Sequence, residues 1–310
     1  MSIEQVPQQR LSIALQFVGM GVIWGSSFLF IKLALEGVSF YQVAWARLVL
    51  GGLTLGIIVL ILRQRLPRDR VIWAHFLVIA VTNCIIPHLA FAWAEQYVSS
   101  GLASIYNAVT PITTALFATL AFRVEKLTGG QVFGIAIGIF GVVTIIGPWR
   151  YSGLTGDLAG QFACLLAAVC YGFSYSYIRR FLSHRPIPGA TFAFLNIGVA
   201  GFIMLLLTPV IAWTPVTLDL GIVASLLALG ILGTGIAYIW NINVLRAWGP
   251  TAASTVTYVT PVVGVALGVL VLREVLSWNE PVGAVLVLVG ILFAQRRIRL
   301  RRRATAPSPS

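Results

Sequence analysis

Long apolar runs separated by short polar links divide the chain into ten stretches: residues 11–35, 40–62, 71–94, 99–122, 130–148, 157–180, 190–212, 219–244, 250–272 and 279–297. Each is close to the roughly 20 residues that a helix needs to cross a hydrocarbon layer about 30 Å thick. The in-out alternation of a membrane barrel is absent, and a spanning segment in lipid must satisfy its own backbone groups, so every stretch is predicted to be helical. The links leave no room for a sizeable extramembrane domain. Residues 1–10 read as a polar cytoplasmic leader rather than a signal peptide, because no basic start and small-residue cleavage site flank the first run. Residues 298–310 read as a basic, disordered cytoplasmic tail.

Composition excludes the other classes. Of the 310 residues, 58% are hydrophobic and only 10% are charged, and the mean hydropathy is +0.93. A soluble domain carries about 25% charged residues, so neither a water-soluble enzyme nor a disordered chain fits. The net charge of +12 would point to nucleic acid in a soluble protein. Here its position along the chain gives another meaning. Alternate span ends hold 17 of the 21 bases, from Arg10 through Arg63, Arg123, Arg179 and Arg246 to Arg303, and the opposite ends hold Lys32, Arg150 and Arg273. Lysine and arginine gather on the cytoplasmic side of membrane helices. The pattern therefore predicts both termini in the cytoplasm of a multi-pass membrane protein, and no nucleic-acid partner. Cys84, Cys164 and Cys170 fall inside apolar segments without metal-ligand spacing and read as small core residues.

The halves of the chain repeat one another. WGSSFLFIK at 24–32 lines up with YGFSYSYIR at 171–179, SSGLASIYNAVTP at 99–111 with GPTAASTVTYVTP at 249–261, and EKLTGGQVFG at 125–134 with EVLSWNEPVG at 274–283. The offset stays near 147–150 throughout. Five helices is an odd number, so the second half must enter the membrane upside down relative to the first. The expected fold is an all-α integral membrane protein in which two inverted five-helix repeats, residues 11–150 and 151–297, surround a central cavity. Inverted repeats of this kind belong to transporters that bind substrate near the midplane.

At these residues the chain resembles the ten-span EamA family of the drug/metabolite transporter (DMT) superfamily. The resemblance rests on WGSSF near the start of the first span and Arg47 in the middle of the second. It rests also on the small residues running into Thr110-Pro111 and Thr260-Pro261, and on Glu125 and Glu274 at the following turns. Within the family it is most similar to the YddG-type exporters of aromatic and other neutral amino acids. The resemblance implies secondary transport by alternating access, with a cavity built mainly by spans 1, 3, 4, 6, 8 and 9.

Within those spans, aromatic rings with polar handles recur at Trp24, Tyr106, Tyr171, Tyr175, Tyr238 and Tyr258, with Ser27, Asn83, Asn107, Thr110, Asn241 and Thr257 as neutral donors and acceptors. Such a set could line a pocket for an amphipathic solute, although helix–helix bonding also uses these residue types. Arg47 is the one charge well inside a span. It reads either as an anchor for the broken end of a neighbouring helix or as a partner for a substrate carboxylate. His88 follows Pro87, whose missing N–H frees a backbone carbonyl, and reads either as a cavity residue or as one satisfied between helices. Pro87, Pro111 and Pro261 are candidate hinges. Gly19, Gly21, Gly25, Gly134, Gly138, Gly264 and Gly268 are expected to allow close helix contact.

The acids all fall in the leader, in links or near span ends, so proton coupling through a buried carboxylate is not expected. A cation substrate would want buried acids and a phosphate several buried bases. Neutral or zwitterionic solutes therefore fit best: amino acids, or alternatively another neutral metabolite, a drug or a nucleobase. An intramembrane enzyme would need a nucleophile–base pair or a metal cluster, and the scattered histidines supply neither. No cofactor, metal or obligate protein partner is inferred; the expected partners are a small-molecule substrate and the lipid bilayer.

Overall fold

The computed structural model describes residues 5–125, 127–150, 156–211, 213–248 and 256–295. The first four residues, the repeat segment 249–255 and the tail from 296 lie outside the described residues. All regular elements among the described residues are helical. They are α1 (Gln5–Ala34), α2 (Phe40–Ile61), α3 (Arg70–Ile79), α4 (Ile86–Ala94), α5 (Ser100–Asn107), α6 (Thr110–Leu120) and α7 (Gly129–Ile146). The second half supplies α8 (Gly156–Phe181), α9 (Gly189–Leu206), α10 (Thr208–Ile211), α11 (Leu220–Leu227), α12 (Ala237–Trp248), α13 (Val256–Leu270) and α14 (Asn279–Ala294). A wider π turn joins α3 to α4 over Ala80–Ile85, and another joins α11 to α12 over Ala228–Ile236.

Among the described residues, seven helical segments are long and apolar enough to cross a membrane, and Val256–Leu270 and Asn279–Ala294 are shorter apolar helices. The stretch expected at 99–122 is interrupted. It divides into α5 and α6 at Ala108 and Val109, because Pro111 has no N–H to continue the ladder and begins a new helix instead. Leu15, Leu53, Ile57, Leu60, Phe140, Phe202 and many other large apolar side chains cover the outside. In water such a surface would aggregate, whereas in a bilayer it faces lipid. This is a multi-pass membrane protein.

The helix ends are closed locally, as a low-dielectric surround demands. Asp69 accepts from Val71 N at 2.8 Å, Ser99 from Leu102 N at 3.1 Å, and Asp219 from Ile222 N at 2.7 Å. Gln42 and Gln131 reach back to the backbone N–H of Ser39 and Thr128. Gly147 ends α7 in the left-handed conformation (φ 58°), which costs a residue without a β-carbon little.

Helix pairs pack through small residues. A β-carbon on Gly134 would lie 2.5 Å from Gly290 O, and one on Gly141 2.9 Å from Gly283 O, so α7 and α14 touch backbone to backbone. Gly201 does the same for α9 against Leu48 of α2. Gly25 admits Val263 of α13, and Gly264 admits Ser104 of α5. The glycines singled out in the sequence are thus accounted for by packing.

Polar contacts sort the links into two ends. Thr217 N donates to Gly37 O, Lys32 to carbonyls of the 95–99 link, and Ser100 N to Glu274; Trp149 stacks on Trp278. At the other end Arg185 pairs with Asp69, Arg179 with Glu125, and Gln64 accepts from Thr191. The links predicted to share a side therefore do meet, and the second end is the arginine-rich one.

Candidate functional site

The site forms where helix geometry relaxes. Inside the π turn of the second half, the Thr234 hydroxyl donates to Leu229 O at 2.9 Å, five residues back. Its oxygen then accepts from Arg47 Nε at 3.1 Å. One residue earlier, Gly233 O accepts from the Trp24 indole N–H at 3.0 Å. The Trp24 ring meets Tyr238 edge-on, with centroids 5.8 Å apart. A single irregular turn thus ties α1 and α2 to the second half. Irregular turns of this type recur at functional sites.

Tyr171 and Tyr175 of α8 stack with centroids 6.2 Å apart, and Phe91 lies against Tyr171. Arg47 is within electrostatic reach of Tyr171, Tyr238 and His88. Arg47, Tyr171 and Tyr238 are only half-buried, and Tyr175 keeps 48% of its surface accessible. Among the described residues only Nε of the Arg47 guanidinium has a hydrogen-bond partner. The donors on its two terminal nitrogens remain for another group.

The first π turn lies alongside. His88 is buried, and its Nδ1 bonds Cys84 O at 2.5 Å, the carbonyl one turn back. A carbonyl only accepts, so Nδ1 carries the proton. Asn83 is buried with no partner for Oδ1 among the described residues. Cys84 Sγ contacts Asn196 Oδ1 at 3.4 Å.

Other expected residues lie elsewhere. Tyr106 is fully buried and donates to Gln161 at 2.6 Å, which joins α5 to α8. Tyr258 donates to Gln295 at 2.8 Å, toward the arginine-rich end. Ser27 is buried and back-bonded to Ile23 O at 3.0 Å, beside Gly233. Thr110 is buried, with no partner for its hydroxyl among the described residues. Asn107, Asn241 and Thr257 are half-buried. Pro87 and Pro111 each sit at a helix discontinuity, whereas Pro261 lies within continuous α13.

One sequence expectation needs correction. Glu95, counted among the acids near span ends, is nonetheless buried: its exposure is 0%, and neither carboxylate oxygen has a partner among the described residues. Burial pushes its carboxyl well above the usual carboxylate range, against the pull of nearby Lys32. The ground for dismissing a buried carboxylate therefore falls. The residue was missed because the link around it is short and polar. Thr234 was missed because a threonine between two glycines carries no signal of its π geometry.

The EamA-like transporter family model matches the chain twice, over residues 11–147 and 158–295. The chain belongs to the EamA-like transporter family. As a member it is a transporter and not an enzyme. An uncharacterised transporter of Archaeoglobus fulgidus is 27% identical over 88% of this chain and 95% of its own. A probable terminal-alkyne amino-acid exporter of Streptantibioticus cattleyicolor is 28% identical over 91% and 93%. A probable amino-acid metabolite efflux pump of Escherichia coli is 25% identical over 91% and 94%. A solved crystal structure aligns with 92% of this EamA-like chain and 99% of its own, at a TM-score of 0.62 and 20% identity, a likeness of fold alone.

Proposed function

We propose that this EamA-like transporter exports amino acids, neutral and aromatic ones foremost, by alternating access. The observation that carries this reading is the Arg47 guanidinium, one nitrogen held by Thr234 and the whole group within electrostatic reach of Tyr171 and Tyr238. A planar guanidinium with free donors suits a carboxylate, and the stacked rings suit an apolar side chain. Arg47 is then both the anchor for the π turn and the partner of the substrate. The names of the Streptantibioticus and Escherichia relatives agree with an amino-acid substrate.

The proposed frame is ten spans in two inverted five-helix repeats, with both termini cytoplasmic in a bacterial-type inner membrane. Two matches of one family model support it. So does the pairing of helices. The contact of α1 with α13 has its counterpart in α8 with α6, and that of α2 with the second π turn in α9 with the first. The pairs α7–α14 and α2–α9 are each their own counterpart. The two π turns fall at matching places in the halves. Two rigid halves rocking about a site between them, with Pro87 and Pro111 at the breaks, would give alternating access.

The test is exchange in proteoliposomes across a panel of labelled amino acids, a nucleobase and a sugar phosphate. Neutral and aromatic amino acids should exchange above empty vesicles. Arg47→Lys, which keeps the charge and loses the fork, should be recovered folded and slow. Exchange of the nucleobase or sugar phosphate in place of amino acids would overturn the reading.

A further inference from the structure

Glu95 sits in a corner made by the end of α4, Lys32 of α1, the start of α5 and the turn after α13. Its carboxylate is sealed from solvent, yet neither oxygen has a hydrogen-bond partner among the described residues. The nearest cation does not answer it. Lys32 Nζ donates instead to the backbone carbonyls of Glu95 and Val98, the latter at 3.0 Å, and so closes the exposed end of α4. The second acid in the corner is already committed. Glu274 accepts from Ser100 N at 2.7 Å, Gly101 N at 3.0 Å and Ser100 Oγ at 3.1 Å, which caps α5. The charged or titratable groups that face Glu95 are Lys32 from α1, Arg47 from α2, Glu274 from the turn after α13 and Cys164 from α8. An ionised carboxylate with no donor is not tolerated in such surroundings, so the group is neutral while the corner is closed.

We propose that Glu95 is a proton-binding site that locks this end of the transporter shut. With the corner closed, the carboxyl holds its proton. When α1 leaves the 95–99 link, water reaches the group and Lys32 is released from the two carbonyls to face it. The O–H bond then breaks, and the proton passes to water on that side. Closing again requires a proton from the same water. The sign follows from this order. The closed form binds the extra proton, so acid favours closure. Closure weakens as pH rises above the ordinary carboxylate range, until the closed-state carboxyl itself ionises. The inference rests on the alternating-access reading but on no particular substrate.

The test reads opening rather than flux, so its failure is separable from a failure of the amino-acid assignment. In a full-length chain with its three cysteines replaced, a cysteine is placed at Val98, which is 5% exposed, and in a second protein at Tyr97, which is 43% exposed. Labelling by a membrane-impermeant maleimide is followed in proteoliposomes from pH 5.5 to 8.5. The ratio of the Val98→Cys rate to the Tyr97→Cys rate cancels the titration of the thiol itself. The ratio should rise several-fold with pH, stay flat at its low value in Glu95→Gln, and keep its rise in Glu95→Asp. A flat ratio with Glu95 present overturns the proposal without any further variant, and so does an unchanged slope in Glu95→Gln.

Discussion

Arg47 Nε donates to Thr234 Oγ1 at 3.1 Å, and Thr234 passes the bond on to Leu229 O inside a π turn. The half-buried charge of α2 is thus held by a loosened stretch of the neighbouring helix rather than by an acid. Thr234→Val keeps the shape and removes the acceptor, leaving Nε unanswered. The exchange rate is expected to fall about tenfold, the effect of roughly 1.4 kcal/mol. Thr234→Ser should stay near the parent. Initial rates in proteoliposomes at matched protein content check both.

Tyr171 and Tyr175 stack on one another, and Tyr175 keeps 48% of its surface accessible. An aromatic contact contributes about 0.5–1.5 kcal/mol beyond simple burial. Tyr175→Ala is therefore expected to weaken the apparent affinity for aromatic amino acids about two- to tenfold. Small neutral amino acids should change little. Saturation curves for phenylalanine and alanine, measured side by side, separate these outcomes.

The α7–α14 seam has no room for a side chain, since a β-carbon on Gly134 would come within 2.5 Å of Gly290 O. Gly134→Val should lower the melting temperature in detergent by several degrees, in line with an overpacking cost of about 1–3 kcal/mol. At Gly129 an added β-carbon meets nothing within 4 Å, so Gly129→Ala should melt with the parent. Thermal unfolding of the purified proteins reads the contrast.

His88 is bonded to its own helix and only 4% exposed. It is therefore not expected to exchange protons during transport. His88→Gln should show the pH profile of the parent between pH 6 and 8, and a profile that flattens in this variant would return His88 to the coupling scheme. The measurement is exchange rate against pH for both proteins.

Much of the frame was legible in the residues. Apolar length marked the membrane segments, and the arginine count sorted the links onto two ends that contacts such as Asp69–Arg185 now join. Arg47, Trp24, Tyr171, Tyr175 and Tyr238 were legible because a charge and polar rings within an apolar run need partners. The two π turns were not. Hydropathy is indifferent to whether a carbonyl bonds four or five residues on, so the roles of Thr234 and Gly233 stayed hidden. Nor does sequence alone fix burial at a span end. Glu95 shows this, an acid counted near a span end that is sealed from water, and Tyr106 is buried where it donates to Gln161 between two helices.

The most direct measurement is uptake of labelled phenylalanine into phenylalanine-loaded proteoliposomes, with unlabelled phenylalanine or phenylalaninamide as competitor. If Arg47 receives a substrate carboxylate, uptake saturates, phenylalanine competes, and the amide, which lacks the carboxylate, does not. No uptake above empty vesicles, or competition by the amide equal to that by the free amino acid, would contradict the account.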